Sequence, residues 1–188
     1  LAPAAGKSKL DEIAARRRAD MLFPTQEQAA VMSAAAGRLR EAGLLTAVPG
    51  FTALRDLGTE GAGYSDVGLK RAIDQGIIPG PRMIVVTRAI VATGTYGPKH
   101  PTPDIDFPQG AEEADGMEGL TRVVRDQISR GADWIKVYAD YRWGPNGESR
   151  PTFTVEELTH IVEIARSSGR PVVAHASTAE GMRRAAVA

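Results

Sequence analysis

Few residues of this chain can do chemistry, and two of them fall at revealing places. Lys136 lies inside Trp134-Ile135-Lys136-Val137-Tyr138, where a period of two puts Trp134, Lys136 and Tyr138 on one face of a strand and Ile135 and Val137 on the other. Strands of a parallel sheet are buried on both faces. An ammonium ion there loses its proton unless it is paired, chemically modified or linked to a metal. The competing reading is a strand-end lysine whose stem is buried while its amine reaches water. His175 closes the apolar run Val172-Val173-Ala174, at the carboxyl end of a strand, where α/β and barrel folds gather reactive groups. A neutral imidazole in that place is either a metal ligand or a hydrogen-bonded core residue. His100 stands in a proline-rich stretch and is a second candidate, whereas His160, mid-helix between Leu158 and Ile161, is expected to be structural. There is no cysteine. That excludes disulfides, thiolate metal sites and a cysteine nucleophile, so the chemistry rests on His, Lys, carboxylates and hydroxyls.

Positioning these groups requires alternating strands and helices. Four apolar runs rich in β-branched residues, at 51–57, 83–89, 134–139 and 171–176, are expected to be strands. Between them 67–75, 117–130 and 155–167 read as helices, the second with Met117, Leu120, Val124 and Ile128 in register, and a further helix starts near Thr178. Thr154 with Glu157, and earlier Thr25 with Gln28, have the reciprocal spacing of a capping box. The helix opened at Thr25 carries Ala29, Met32, Ala36 and Leu39 on one face and ends near Gly43. Strand and helix in alternation mean parallel strands with right-handed crossovers, hence an open doubly wound sheet or an arc of a (β/α)8 barrel. Residues 1–24 read as an N-terminal arm and 25–188 as the α/β domain. The connection at 93–116, with Pro98, Pro101, Pro103 and Pro108, is expected to be a long functional loop. No nucleotide-binding glycine motif follows a strand, and Gly58, Gly61 and Gly63 read as a turn that needs positive φ.

The 188 residues carry 23 basic and 23 acidic side chains, with 43% hydrophobic and 24% charged residues. Such a composition belongs to one folded domain or to a piece of a larger one. A formal net charge of zero removes the electrostatic basis for a nucleic-acid or anionic-membrane partner, and the short run Arg16, Arg17, Arg18 does not restore it. No run reaches the roughly 18 apolar residues of a membrane span, and the first residues lack the charged-then-apolar order of a signal peptide. A start at Leu1 without Met and a stop at Ala188 inside a helical pattern suggest a processed or excised segment.

Four strings occur in a distinctive order: Gly50-Phe-Thr-Ala-Leu-Arg-Asp-Leu-Gly58, Ile78-Pro-Gly-Pro-Arg82, Gly131-Ala-Asp-Trp-Ile-Lys136-Val, and Gly169-Arg-Pro-Val-Val-Ala-His175-Ala. Together they resemble the amidohydrolase superfamily, in its imidazolonepropionase-like and Xaa-Pro dipeptidase-like branch of metal hydrolases. The resemblance covers residues 42–188. It implies a (β/α)8 barrel that holds two divalent metal ions, usually zinc, at the carboxyl ends of its strands. Lys136 then matches the strand-four lysine that is carboxylated to a carbamate bridging both metals. This resolves its burial, because a carbamate is an anionic oxygen ligand facing two cations. His175 matches the strand-five histidine ligand, and Tyr138 would point at the substrate carbonyl or the tetrahedral intermediate. Where the family often has Gly-Gly-His-Gly, this chain has Gly94-Thr95-Tyr96-Gly97, so Tyr96 stands in the place of that histidine.

The family's first-strand His-x-His pair, sixth-strand histidine and eighth-strand aspartate have no counterpart here, and residues 44–50 look like an insertion. A complete barrel needs about 250 residues. The expected fold is therefore part of a (β/α)8 TIM-type barrel, about four strand-helix units, incomplete in this chain. By itself the chain is expected to be inactive. The expected activity of the whole is hydrolysis of an amide or peptide C–N bond in a dipeptide, N-acyl amino acid or cyclic amide. Lys136 and His175 would be metal ligands, Tyr138 catalytic, and Tyr96 and His100 substrate-binding. Two other readings are open. One is a metal-free barrel enzyme in which Lys136 forms a Schiff base; the other is an inactive half barrel. In the half-barrel reading, exposed sheet edges would recruit another chain, either the remaining barrel segments or a second copy.

Overall fold

The computed structural model describes residues 51–97 and 109–188. The N-terminal arm, the helix expected from Thr25, the 44–50 insertion and His100 lie outside the described residues. In chain order the elements are β1 (Ala53–Asp56), α1 (Ser65–Asp74), β2 (Arg82–Val85), β3 (Ile90–Val91), β4 (Glu112–Glu113), α2 (Gly116–Arg130) and β5 (Ile135–Tyr138), followed by β6 (Asp140–Arg142), β7 (Ser149–Pro151), α3 (Val155–Ser167), β8 (Val172–His175) and α4 (Ala179–Val187). β1 pairs with β2 in parallel, and β4-β3-β5-β8 form a four-stranded parallel sheet. The two sheets are joined where the amides of Asp133 and Trp134 donate to the Val85 carbonyl, at 2.8 and 3.3 Å. The result is one arc of parallel strands running β1, β2–β3, β5, β8.

The core lies on one side of this arc. Ile135 and Val137 are fully buried there against Leu120, Val123 and Val124 of α2, Leu158 and Ile161 of α3, and Phe153. Burying an aliphatic side chain of this size contributes about 1.5–3 kcal/mol. On the opposite face Tyr138 meets the loop residue Tyr96 and the hairpin residue Tyr141. A doubly wound sheet would bring helices to that second face; the observed arrangement is an arc of a barrel with its lumen side toward Lys136 and Tyr138.

Local signals place the helices well. In α3 the amide of Glu157 donates to Thr154 Oγ1 (3.1 Å) and the amide of Thr154 to Glu157 Oε2 (2.9 Å), completing the expected capping box. Gly131, with φ of 110°, ends α2 in the left-handed region. Gly58, Gly61 and Gly63 have positive φ, as the turn reading required.

Three features differ from expectation. The strand expected over 83–89 is interrupted: Thr87 takes φ of 64°, its amide donates to Asp66 Oδ2 (2.7 Å), and its carbonyl accepts from Thr59 (3.1 Å). Pairing resumes only at β3. The stretch 93–116 is not wholly irregular, because β4 adds in parallel to β3, with the Glu112 amide on the Ala89 carbonyl (2.8 Å) and the Ala114 amide on the Val91 carbonyl (3.0 Å). Finally, an antiparallel hairpin, β6–β7, rises directly after β5, its base tied by the Trp143 indole N–H to the carbonyls of Arg150 and Pro151, both at 3.1 Å.

Candidate active site

Lys136 is 6% exposed, on the lumen face of the central strand. Among the described residues its amine has no hydrogen-bond or ion-pair partner, and it lies over the Tyr138 ring, 5.2 Å from Nζ to the centroid. Burial pulls its pKa below the ordinary lysine value, and the carboxylate of Glu60 opposes this only in part. Little of the side chain reaches water within the described residues, and burial disfavours its charged form.

Register brings the other candidates beside it. β5 and β8 pair with Lys136 opposite Val173 and Tyr138 opposite His175, so Lys136, Tyr138 and His175 share one face. The Tyr138 and His175 rings stack with centroids 4.5 Å apart and planes 27° apart. Tyr96 lies 5.3 Å from Tyr138 and 4.8 Å from Tyr141, and Tyr141 stands edge-on to Tyr138 at 5.5 Å. Ala89, Val91 and Ala111 pack against Tyr96 and Tyr138. The Tyr96 hydroxyl donates to Glu60 Oε2. Burial raises the pKa of Tyr138 and of Tyr96, and the Glu60 hydrogen bond raises Tyr96 further, so both hydroxyls stay protonated at neutral pH and can donate.

A buried carboxylate fixes the two strand ends against each other. Asp140, fully buried just beyond β5, accepts from the Ser177 amide (3.0 Å to Oδ1, 2.8 Å to Oδ2), the Ser177 hydroxyl (3.0 Å), the Thr178 amide (2.7 Å) and the Thr178 hydroxyl (2.7 Å). Burial pushes its pKa up, but the bonds from Thr178 and Ser177 outweigh burial and hold it below the usual carboxylate range. Thr178 in turn caps α4 by accepting from the Gly181 amide at 3.0 Å. Gly181 is required there, because a Cβ would lie 2.2 Å from Asp140 Oδ2. The clasp spans from the exit of β5 to the exit of β8, and so sets where Tyr138 and His175 stand.

Of the candidates from sequence, Lys136, Tyr138, His175 and Tyr96 come together, while His100 lies outside the described residues. His160 serves the helix packing: its Nε2 is 2.8 Å from Thr121 Oγ1 and 3.0 Å from the Met117 carbonyl oxygen, bridging α3 to α2. A groove of roughly 800 Å³ beside it, lined by Met117, Thr121, Arg125 and His160 among others, is open and lies on the helices, away from the lumen face. Reading the sequence missed Glu60, Tyr141 and Asp140. Glu60 is hidden in turn-like composition; an aspartate and a tyrosine directly after the apolar run at 134–139 were the available signal for the other two. Among the described residues no three His, Asp or Glu side chains converge as a metal site.

A half-open arc of parallel strands, with helices outside and polar groups at the carboxyl ends inside, defines a segment of a (β/α)8 enzyme barrel. The sequence matches the amidohydrolase family over residues 19–188, and the chain belongs to that family. The ochratoxinase of Aspergillus niger is 33% identical over 153 residues, covering 72% of this chain and 31% of that protein. Its crystal structure superposes with a TM-score of 0.59 at 29% identity, over 87% of this chain and 41% of that one. A Xaa-Pro dipeptidase with bound methionine in its active site gives a TM-score of 0.62 at 32% identity, over 72% of this chain and 34% of that one. A prolidase complexed with N-methylphosphonate-L-proline gives 0.62 at 32% identity, over 73% and 35%. The chain thus spans about a third of the length of the curated relatives it matches. Among the described residues no helix is long and apolar enough to cross a membrane.

Proposed function

We propose that this chain supplies the central part of a metal-dependent amidohydrolase that cleaves an amide or peptide C–N bond in a small molecule: a dipeptide, an N-acyl amino acid or a cyclic amide. The observation that carries this reading is the buried amine of Lys136 on the lumen face, without a hydrogen-bond or ion-pair partner among the described residues and in register with the strand that ends in His175. A neutral amine is the form that takes up carbon dioxide, and the carbamate that results is an anionic oxygen donor that needs cations beside it. Lys136 as its carbamate and His175 as a neutral imidazole would hold two divalent ions, probed first as zinc, with the remaining ligands outside this chain. When bound, the ions polarise the amide carbonyl and lower the pKa of a water.

The chain's own residues do the rest. The Tyr138 hydroxyl, kept protonated by burial, donates a hydrogen bond to the oxygen on which negative charge develops. Tyr96 and Tyr141 wall the site against water and, with His100, set which acyl groups enter. The Asp140 clasp holds Tyr138 and His175 at a fixed spacing. The free edge of β8 would pair with the remaining barrel segments or with a second copy.

The lowered pKa of Lys136 also suits a Schiff-base nucleophile, so the test separates the two. In the protein that contains this segment, a chelator should abolish amide hydrolysis, added zinc should restore it, and borohydride with a carbonyl substrate should leave Lys136 unmodified. Chelator resistance with reductive trapping at Lys136 would overturn the proposal.

A further inference from the structure

The tip of the β6–β7 hairpin carries Asn146, the chain's only asparagine, followed directly by Gly147. Both residues are exposed. The Gly147 amide donates to the Gly144 carbonyl at 2.9 Å, closing a turn with Pro145 and Asn146 at its centre, and the Gly144 amide donates to the Glu148 carbonyl at 3.1 Å. Gly147 has φ of 78°, and a Cβ placed on it would meet nothing within 4 Å, so open space lies beside its nitrogen. Asparagine is thermolabile because the backbone nitrogen of the next residue can attack its side-chain carbonyl carbon and close a five-membered ring. A side chain on that next residue is the main obstacle, and glycine has none. The restraint on Gly147 is its one bond to Gly144, and exposed loop tips open locally at low cost.

The tip is also built around a negative charge. The Glu148 carboxylate accepts from the Asn146 amide at 2.9 Å and from the Arg150 guanidinium at 2.9 and 3.1 Å. It stands so close to Gly144 that a Cβ there would collide with it. Arg150 is opposite Tyr141 in the hairpin register, and Tyr141 belongs to the aromatic group of the candidate site. A second carboxylate at position 146 would stand beside that of Glu148, and like charges so placed destabilise the pairing that holds them.

We propose that Asn146 is a site of spontaneous deamidation in the folded protein, and that the modification opens the hairpin tip. The Gly147 nitrogen loses its proton and bonds to Asn146 Cγ, the side-chain nitrogen leaves as ammonia, and a succinimide forms. Water then opens the ring at either carbonyl. One opening leaves aspartate; the other leaves isoaspartate, whose backbone runs through the former side chain and is one methylene longer. One water is consumed and one ammonia released, with no oxidation or reduction. The step uses only this turn and water, so it stands apart from the hydrolytic activity.

The test ages the protein that contains this segment at physiological temperature, folded and in urea, at neutral and at mildly alkaline pH. Asn146→Gln serves as the control, because glutamine would have to close a slower six-membered ring. In the folded parent the tryptic peptide 143–166 should gain nearly one dalton, faster at the higher pH because the attacking nitrogen must lose its proton. Isoaspartyl methyltransferase should label that peptide, and Asn146→Gln should show neither change. Deamidation confined to the urea sample would overturn the proposal, since the folded turn would then protect Asn146. Amide exchange at Gly144 tests the consequence: it should be about two- to fivefold faster in the aged, deamidated protein than in the fresh one, the scale of one unfavourable cross-strand pair. Unchanged exchange at Gly144 in the deamidated protein would overturn the opening of the tip.

Discussion

Replacing Asp140 by alanine should loosen the joint between β5 and β8, and the cost can be worked from the hydrogen bonds. The carboxylate accepts from two backbone amides, those of Ser177 and Thr178, and from the two hydroxyls of the same residues. The hydroxyls can rotate to other acceptors. The amides cannot, and each donor left without a partner in this partly buried site costs about 1–2 kcal/mol, toward the low end of the usual range because water can enter the space vacated beside Gly181. The expected loss is therefore about 2–4 kcal/mol in urea unfolding at pH 7. Because the pKa of Asp140 is depressed in the folded state, its contribution is present above the unfolded carboxyl pKa of about 3.9 and fades as pH falls through the lower folded value. Below about pH 4 the parent should thus lose stability more steeply than Asp140→Asn, whose amide does not titrate. A loss under about 0.5 kcal/mol for Asp140→Ala, the scale of an ordinary surface substitution, would refute the view that this clasp aligns the strand ends.

Tyr138→Phe should lower turnover by about 10²- to 10³-fold with little change in metal content, the usual result of removing one donor to a developing oxyanion; nearly full turnover would mean that Tyr138 only packs. Gly181→Ala should destabilise by about 1–3 kcal/mol, since its Cβ would sit 2.2 Å from Asp140 Oδ2. In the Asp140→Ala background the same change should cost much less, and additive losses in a double-mutant cycle would contradict that contact. Tyr96→Phe removes the hydroxyl that donates to Glu60 and should shift the preference among acyl groups while metal loading stays the same, and unchanged kcat/KM ratios across a set of acyl groups would contradict the role of Tyr96 in substrate choice.

What the sequence revealed follows from how local each determinant is. α3 was legible because Thr154 and Glu157 satisfy each other within one turn and its apolar positions repeat at helical spacing. Lys136 stood out because a charge inside an apolar run has no inexpensive structural explanation, and His175 because strand ends are where reactive groups collect. The break after Val85 was not legible, since Thr87 is turned by Asp66, a partner 21 residues away. The β6–β7 hairpin escaped for a different reason. Its strands, Asp140–Arg142 and Ser149–Pro151, are three residues each and lack apolar alternation, and the indole of Trp143 that ties them belongs to neither strand. Glu60 reads as turn filler until the hydrogen bond from Tyr96, a partner 36 residues away, shows where its carboxylate goes.

The most direct test of the central claim is Lys136→Ala in the protein that contains this segment, followed by metal content, amide hydrolysis and rescue by added short carboxylic acids. If the Lys136 carbamate holds the ions, the variant should lose both metal and activity, and formate or acetate should restore part of each by supplying the missing oxygen donor. Full metal content and full turnover in Lys136→Ala would contradict the account.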